Sequence, residues 1–480
     1  MHSNLHKWIL LAAAFWFSAA CVRAQDPAAA GQSATPQGEV GAPSSSSALS
    51  QEKPGAADTL PLSGAQDITV GAIQSRHSFI LPSLNVTEQV DSNPFSLPAA
   101  TFNTFETRTL FMGRIGLLQQ SAHSEFIVDY QGGGSDSSYQ ASRTSMLHSL
   151  QISERFFGHR WSLLLGGQGS YLPESSFGLS NAGGLDAYGV GGSSRFGGLI
   201  DGAVPNFRPG LLPSQSISTA NVYRISGIGV LQATFKVSRR TSLTAFGSYG
   251  MLHFLDSAFY DSRQILAQAG YEVQASRNNT VAFSYRYAEY LFRAQDQTIR
   301  SHAAFLSYAR RITGRLGWQI SGGPQYLEFS PVIPAVQRLY WSANSSLNYQ
   351  LSRLTLGADY DHGVSGGSGL LLGSEADQLQ GTLSRSLSRN LQGVLALGYS
   401  DNHALSQTEA AGIKGNLRFW FGSARIERRF ASRSSIFLAY NARLQNLNLP
   451  NCLGSECAPS AWDHQISVGL NLTARPLILH

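Results

Sequence analysis

Six short turns built around an arginine divide the second half of this chain: SRR at 238–240, SRN at 276–278, TGR at 313–315, SRL at 352–354, SRN at 388–390 and SRS at 432–434. Measured from the residue before each arginine, the intervals are 38, 38, 38, 36 and 44 residues. A period of this size marks a repeated supersecondary unit, and it restricts the chain to helical arrays, propellers or stacked hairpins.

The residues between the turns choose among these. In 223–237, Tyr223, Ile225, Gly227, Gly229, Leu231, Ala233, Phe235 and Val237 share one face, and Arg224, Ser226, Gln232, Thr234 and Lys236 share the other. In 264–275, Ile265, Ala267, Ala269, Tyr271, Val273 and Ala275 oppose Gln264, Gln268, Glu272 and Gln274. In 281–287, Val281, Phe283, Tyr285 and Tyr287 oppose Ser284 and Arg286. A period of two is a strand signal, which excludes helical repeats. A propeller blade would need four strands in each interval, hence strands half as long. A hairpin fits: two strands of about 13 residues, a turn of about three and a loop of about nine. Such strands suit a tilted crossing of a bilayer, which takes about 9–11 residues.

The count can be extended to the ends. Earlier short turns fall near 119–123 and 157–160, and eight turns join sixteen strands. A last strand over 464–474 and a first over 78–90 bring the total to eighteen, with sixteen as the alternative because Pro82 lies inside the first. The fold class is therefore all-β: a transmembrane antiparallel up-and-down barrel, closed by its first and last strands because the hydrocarbon cannot satisfy a free edge. The 44-residue interval predicts a longer strand or bulge around 412–431, where the apolar phase shifts after Phe421. Most outer loops have about 8–17 residues. The exception is 173–221, rich in Gly, Pro and Ser, with Phe177, Tyr188, Phe196 and Phe207 to help it pack.

Composition agrees. Only 14% of residues are charged, against about 25% in soluble domains, yet mean hydropathy is −0.10. Alternating faces reconcile the two, since polar and apolar rows cancel in the average. The one long apolar run is N-terminal. Lys7, the segment Trp8 to Ala20 and Val22-Arg23-Ala24 read as a signal peptide, residues 1–24, cut after Ala24. Lipidation at Cys21 is the rival reading. Residues 25–76, low in complexity and rich in Ala, Pro, Ser and Gln, form a periplasmic tail without a core, and 77–480 is the barrel domain. Cys452 and Cys457, in CLGSEC, are then the two mature cysteines, and they read as a disulfide that stiffens a loop tip. They lack the further ligands of a zinc site and the C-x-x-C-H of a haem site, so no metal or cofactor is expected. The sequence pI of about 9.1 comes from scattered arginines, not from a basic stripe, so nucleic acid is not an expected partner.

Over residues 77–475 the chain resembles the outer-membrane β-barrel, porin-like superfamily of Gram-negative bacteria. The export signal, strand length, turn and loop asymmetry and aromatics such as Tyr349, Tyr399, Phe430 and Tyr440 near strand ends carry the resemblance. It implies a place in the bacterial outer membrane with both termini in the periplasm. It also implies outer-membrane lipid, lipopolysaccharide and the barrel-assembly machinery as partners. Homo-oligomers occur in the superfamily, though the sequence holds no interface signal. Large porins often fold one long loop inward, which would make 173–221 a constriction. Many members end on an aromatic residue, whereas here RPLILH follows the last strand.

If the lumen is open, its polar residues set selectivity. Parity places Arg224, Lys236, Glu272, Arg286, Asp359, Asp361 and Arg443 inward, and Arg108, Arg114, Glu125 and Asp129 join them. Their mixed signs predict no strong ion preference. Each one taken singly reads more simply as a solvated or paired lumen charge. His253, His302, His362, His403 and His464 lie near strand ends, but no G-x-S-x-G stands in a fitting context, so an enzyme is not expected. A plugged receptor would need about 22 strands and a plug larger than 25–76. The expected function is a passive porin-type channel for small hydrophilic solutes. The alternatives are a non-conducting adhesin, receptor or structural part of an envelope complex, and, behind these, a lipid hydrolase.

Overall fold

A computed structural model describes residues 78–92, 105–121, 123–138, 144–174, 222–255, 261–292, 296–313, 315–331, 338–351, 353–365, 371–405, 415–448 and 460–479. The expected signal peptide and tail, both mature cysteines and nearly all of the 173–221 loop lie outside these residues.

The described chain is β throughout: β1 Ser78–Asp91, β2 Glu106–Gln120, β3 Ser124–Ser137, β4 Thr144–Phe157, β5 Trp161–Glu174, β6 Val222–Lys236, β7 Thr241–Phe254, β8 Ser262–Gln274, β9 Asn279–Phe292, β10 Gln297–Arg311, β11 Leu316–Ser330, β12 Leu339–Gln350, β13 Leu354–Ser365, β14 Ser374–Ser386, β15 Leu391–Ala404, β16 Asn416–Ala431, β17 Ser434–Asn448, β18 Ser460–Thr473 and β19 Leu477–Leu479. Each strand from β1 to β18 pairs antiparallel with the next, and β18 returns to β1 from Ser83↔Thr473 to Asp91↔Gln465. β19 continues the edge of β18, pairing Ser78–Ile80 with Leu477–Leu479. The result is a closed barrel of eighteen staves, with no strand edge left to satisfy.

All eight short turns fall where the sequence places them, between β2 and β3 and then between every second pair up to β16 and β17. The two rows of each strand separate cleanly. On β18, Ile466, Val468 and Leu472 are exposed outside the barrel, while Gln465, Ser467 and Asn471 are buried on the luminal side.

Four details bear on the sequence reading. First, the long interval before residue 432 contains a sixteen-residue strand with a register shift between Arg429 and Ala431, inside the predicted 412–431 stretch. Pairing with β15 runs unbroken through Phe421, and after it the apolar residues pass from the luminal row (Leu417, Phe421) to the outer row (Ile426, Phe430). Second, RPLILH does not trail beyond the barrel, because Leu477–Leu479 extends the closing seam. Third, Tyr440 stands seventh in β17 rather than near an end. Fourth, Pro82 is not a breaker. It sits in β1 opposite the gap between β18 and β19, where its carbonyl accepts from Ala474 N–H at 2.9 Å. A proline has no N–H to offer a ladder, and the partner edge is interrupted at this point.

One seam is closed by a side chain. The ladder between β12 and β13 ends at Ala343↔His362, although β13 pairs with β14 out to Ser365↔Ser374. Beyond that point Gln325 of β11 takes the place of a peptide group. Its Oε1 accepts from Val364 N–H at 3.1 Å and its Nε2 donates to the Val364 carbonyl at 3.1 Å. On the outer face of this seam Trp341 stacks on His362 with ring centroids 3.7 Å apart.

Candidate functional site: the barrel lumen

Because the rows alternate, the ladder register fixes which side chains line the lumen. Arg108 and Arg114 share the luminal row of β2 with buried Glu106, Leu110 and Met112. Glu125 and Asp129 share that of β3 with buried Ser135 and Ser137. Asp359 and Asp361 lie opposite Ser346 and Asn344 on the luminal side of β13. Arg443 is buried on β17 directly opposite Asp463 of β18, which is also buried. Lys236 falls on the luminal row at the short-turn end of β6 and is exposed. Arg224 falls on β6, opposite Phe254 of β7.

Several of these charges are held in place. Arg114 grips Asp129 with two hydrogen bonds, Nε to Oδ1 at 2.7 Å and Nη2 to Oδ2 at 2.5 Å. A bidentate guanidinium–carboxylate pair is among the stronger charged contacts and has a fixed plane. Arg108 donates to Glu106 at 3.0 Å, and the same carboxylate accepts from Ser137. Arg286 donates Nε to Gln268 Oε1 at 3.0 Å and lies over the Phe305 ring, 4.6 Å from its centroid. Glu272 stands at the short-turn end of β8, and its Oε2 is enclosed without a hydrogen-bond partner among the described residues.

Sequence reasoning missed part of the lumen. Glu106, Arg425, Glu427 and Asp463 are luminal charges as well. Arg425 donates to Glu427 at 3.1 Å and covers the Phe437 ring at 4.0 Å. Parity counted along β16 and β18 would have found three of them. A second omission is chemical. From β5 to β11 the luminal row carries a continuous apolar cluster, including Ile228, Phe254, Leu266, Phe292, Ile299 and Leu327. Val364 and Leu405 join it from the long-loop ends of β13 and β15. On β14 to β18 and β1 the row includes Leu417, Phe421 and Phe437 but is mainly polar, as with Gln380, Asn402, Asn441, Gln445, Asn471 and Thr87. These side chains bond across strands: Ser423 to Asn441 at 2.6 Å, and Asn441 to Gln465 at 3.1 Å. The lumen thus mixes the two chemistries: the apolar cluster of β5 to β11 is interleaved with buried amides and hydroxyls such as Gln264, Gln268 and Ser301, while β14 to β18 and β1 are mainly polar. No group of three or more metal-ligating side chains stands together among the described residues.

No family model matches the sequence, and no curated protein matches it either. Solved structures do. OpdQ of Pseudomonas aeruginosa is similar at 10% identity and TM-score 0.42, over 83% of this chain and 98% of that one. OpdK of the same organism, solved with vanillate, is similar at 10% identity and TM-score 0.41, over 82% and 99%. The ferric preacinetobactin receptor BauA of Acinetobacter baumannii follows at 7% identity and TM-score 0.37, over 82% and 80%. The chain is a closed eighteen-stranded barrel of porin-like architecture, a conclusion that rests on its own closing ladder and luminal rows.

Proposed function

We propose that the protein is a bacterial outer-membrane barrel acting as a passive channel for small hydrophilic solutes. Short turns face the periplasm and long loops face out. The observation that carries this reading is the contrast of faces. Apolar side chains such as Leu306, Leu397 and Ile466 stand exposed outside, while carboxylates, guanidinium groups and amides line the inside. That is the arrangement of a barrel with lipid outside and an aqueous path within. The charges are luminal and several are already paired, so they tune passage rather than perform chemistry. A catalytic role finds no support in the arrangement of these groups.

A second reading has its own observation. Many polar luminal side chains are almost fully enclosed, with Gln445 and Ser467 at 0% exposure and Asp463 at 1%. A filled lumen would make the barrel a non-conducting adhesin, receptor or envelope component. Planar-bilayer recording of refolded protein separates the two. Discrete conductance steps are expected, and a folded, inserted barrel that passes no current would overturn the channel reading.

A further inference from the structure

Every histidine on the described strands faces outward. His148, His253, His302, His362, His403 and His464 all fall on exterior rows, and all lie toward the long-loop ends. With two faces per strand, six random placements would agree only about once in thirty. The lumen, where a pore would be expected to carry its titratable groups, has none of them.

Three of these histidines repeat one geometry. Tyr130, Tyr285 and Tyr440 each stand seventh in an outward-running strand, β3, β9 and β17. Their direct cross-strand partners are Leu150, Ala304 and Ile466. In each case the residue two places further out on the neighbouring strand is a histidine: His148, His302 or His464. The tyrosine oxygen meets its Nδ1 at 3.0, 2.7 and 2.9 Å. Each histidine also stands nine residues from the short-turn end of its strand, at Phe157, Arg311 or Thr473. The three pairs therefore mark one level of the barrel wall on widely separated staves.

Chemistry changes at this level. Up β18 the exterior row reads Leu472, Leu470, Val468, Ile466, His464, Trp462, Ser460. Up β10 it reads Leu306, Ala304, His302, Arg300, Thr298. On these two strands the histidine is the first polar group above an apolar stretch; on β4 His148 follows Ile152 and Leu150, with Met146 and Thr144 beyond it. With the tyrosine hydroxyl donating to Nδ1, the ring proton sits on Nε2. No hydrogen bond of the described residues engages that Nε2. An N–H aimed at lipid is stable only where the lipid supplies an acceptor, because hydrocarbon supplies none. At the upper edge of an apolar band the strongest acceptor within reach is a headgroup phosphate, and a protonated imidazole strengthens the bond.

We propose that the three tyrosine–histidine pairs are contact sites for phosphorylated lipid headgroups of the outer leaflet, with Nε2–H as the donor and the tyrosine holding the ring. The proposal rests on the outer-membrane reading above, and on no property of the channel. It is confined to these pairs. On the β13–β16 side the same belt carries Asp377 and Asp401, which are already held by His362 at 2.8 Å and Arg418 at 2.8 Å, and carboxylates repel phosphate; beside His302 the one neighbouring carboxylate on β9, Glu289, is held by Arg300 at 3.2 Å.

The test uses the full mature chain, refolded into neutral-detergent micelles and titrated with diphosphoryl lipid A or with the same lipid stripped of both phosphates. Bound lipid is read by native mass spectrometry. The phosphorylated lipid is expected to bind more tightly by about tenfold, equivalent to about 1.4 kcal/mol. In H148Q/H302Q/H464Q the two lipids should bind within about twofold of one another. Y130F/Y285F/Y440F, which keeps the imidazoles and frees their rings, should lose part of the preference and serves if the first variant does not fold. Equal binding of the two lipids to the wild type overturns the proposal, as does a preference that survives both variants. Failure of either lipid to bind overturns it together with the outer-membrane reading, whereas a barrel that prefers the phosphorylated lipid without conducting leaves it standing.

Discussion

Gln325 does work that elsewhere in this barrel belongs to the backbone. It satisfies both Val364 N–H and its carbonyl, and it donates to Ser301 at 2.8 Å. In Gln325→Ala those buried groups lose their partner, at a cost of about 1–3 kcal/mol for each orphaned group. Denaturant unfolding in vesicles should show a loss of at least about 2 kcal/mol, and Gln325→Glu should not restore it, since a carboxylate cannot donate to the carbonyl. The Arg114–Asp129 pair makes a sharper case, with side-chain exposures of 16% and 11%. Arg114→Ala should destabilise by about 3 kcal/mol, because the charge left behind is mostly desolvated. Adding Asp129→Ala should return part of that loss, and a double-mutant cycle measures how much. The sequence revealed that both residues face inward, through parity. That they meet was not legible, because a pairing across β2 and β3 depends on the register Gly116↔Asp129 and Arg114↔Gln131.

At the scale of the element, turns and alternation carried nearly everything. The eight short turns and the two alternating rows of the strands are local properties, and the chain states them locally. Irregularities are different. The ladder of β10 with β11 is interrupted between Ala303↔Gln325 and Leu306↔Gly322, with its register unchanged. There the backbone of β11 comes so close to Ala304 that a Cβ on Gly323 would overlap its carbonyl oxygen. Gly323→Ala is therefore expected to cost about 2 kcal/mol or more, far beyond an ordinary glycine-to-alanine change in a strand, whereas Gly229→Ala, with open space around it, should be close to neutral. Comparing the two melting temperatures checks this. Near Arg429 the register itself shifts: the extra length and the 412–431 stretch showed in the sequence, and the step between Arg429 and Ala431 came from the partner strand.

For the whole molecule, closure decides what the rows become. An alternating strand has two faces of undetermined fate; the closing ladder of β1 with β18 makes one face lumen and the other membrane surface. It also gathers apolar luminal residues from β5 to β11 into one cluster, set among buried polar side chains. Luminal charges of both signs remain, with Arg108, Arg114, Arg286, Arg425 and Arg443 set among Glu106, Asp129, Glu427 and Asp463. A conducting barrel should therefore discriminate weakly between ions. Under a tenfold potassium chloride gradient the reversal potential is expected to stay within about 15 mV of zero, well short of the roughly 59 mV of an ideally selective pore. A value near that limit would mean that one sign of charge commands the constriction.

The sequence by itself determined the turns, the two alternating rows of the strands and hence the barrel, with eighteen strands against an alternative of sixteen, because period-two patterning and turn chemistry act over a few residues and need no partner to be read. Only the tertiary structure decided which luminal charges pair, where β18 breaks opposite Pro82, how Gln325 closes a seam, and that the histidines of the described strands lie on outer rows, three of them at one level beside a tyrosine. Those features depend on stagger between strands distant in the chain. Stagger is set by the ladder hydrogen bonds of a closed cylinder, which no single strand contains.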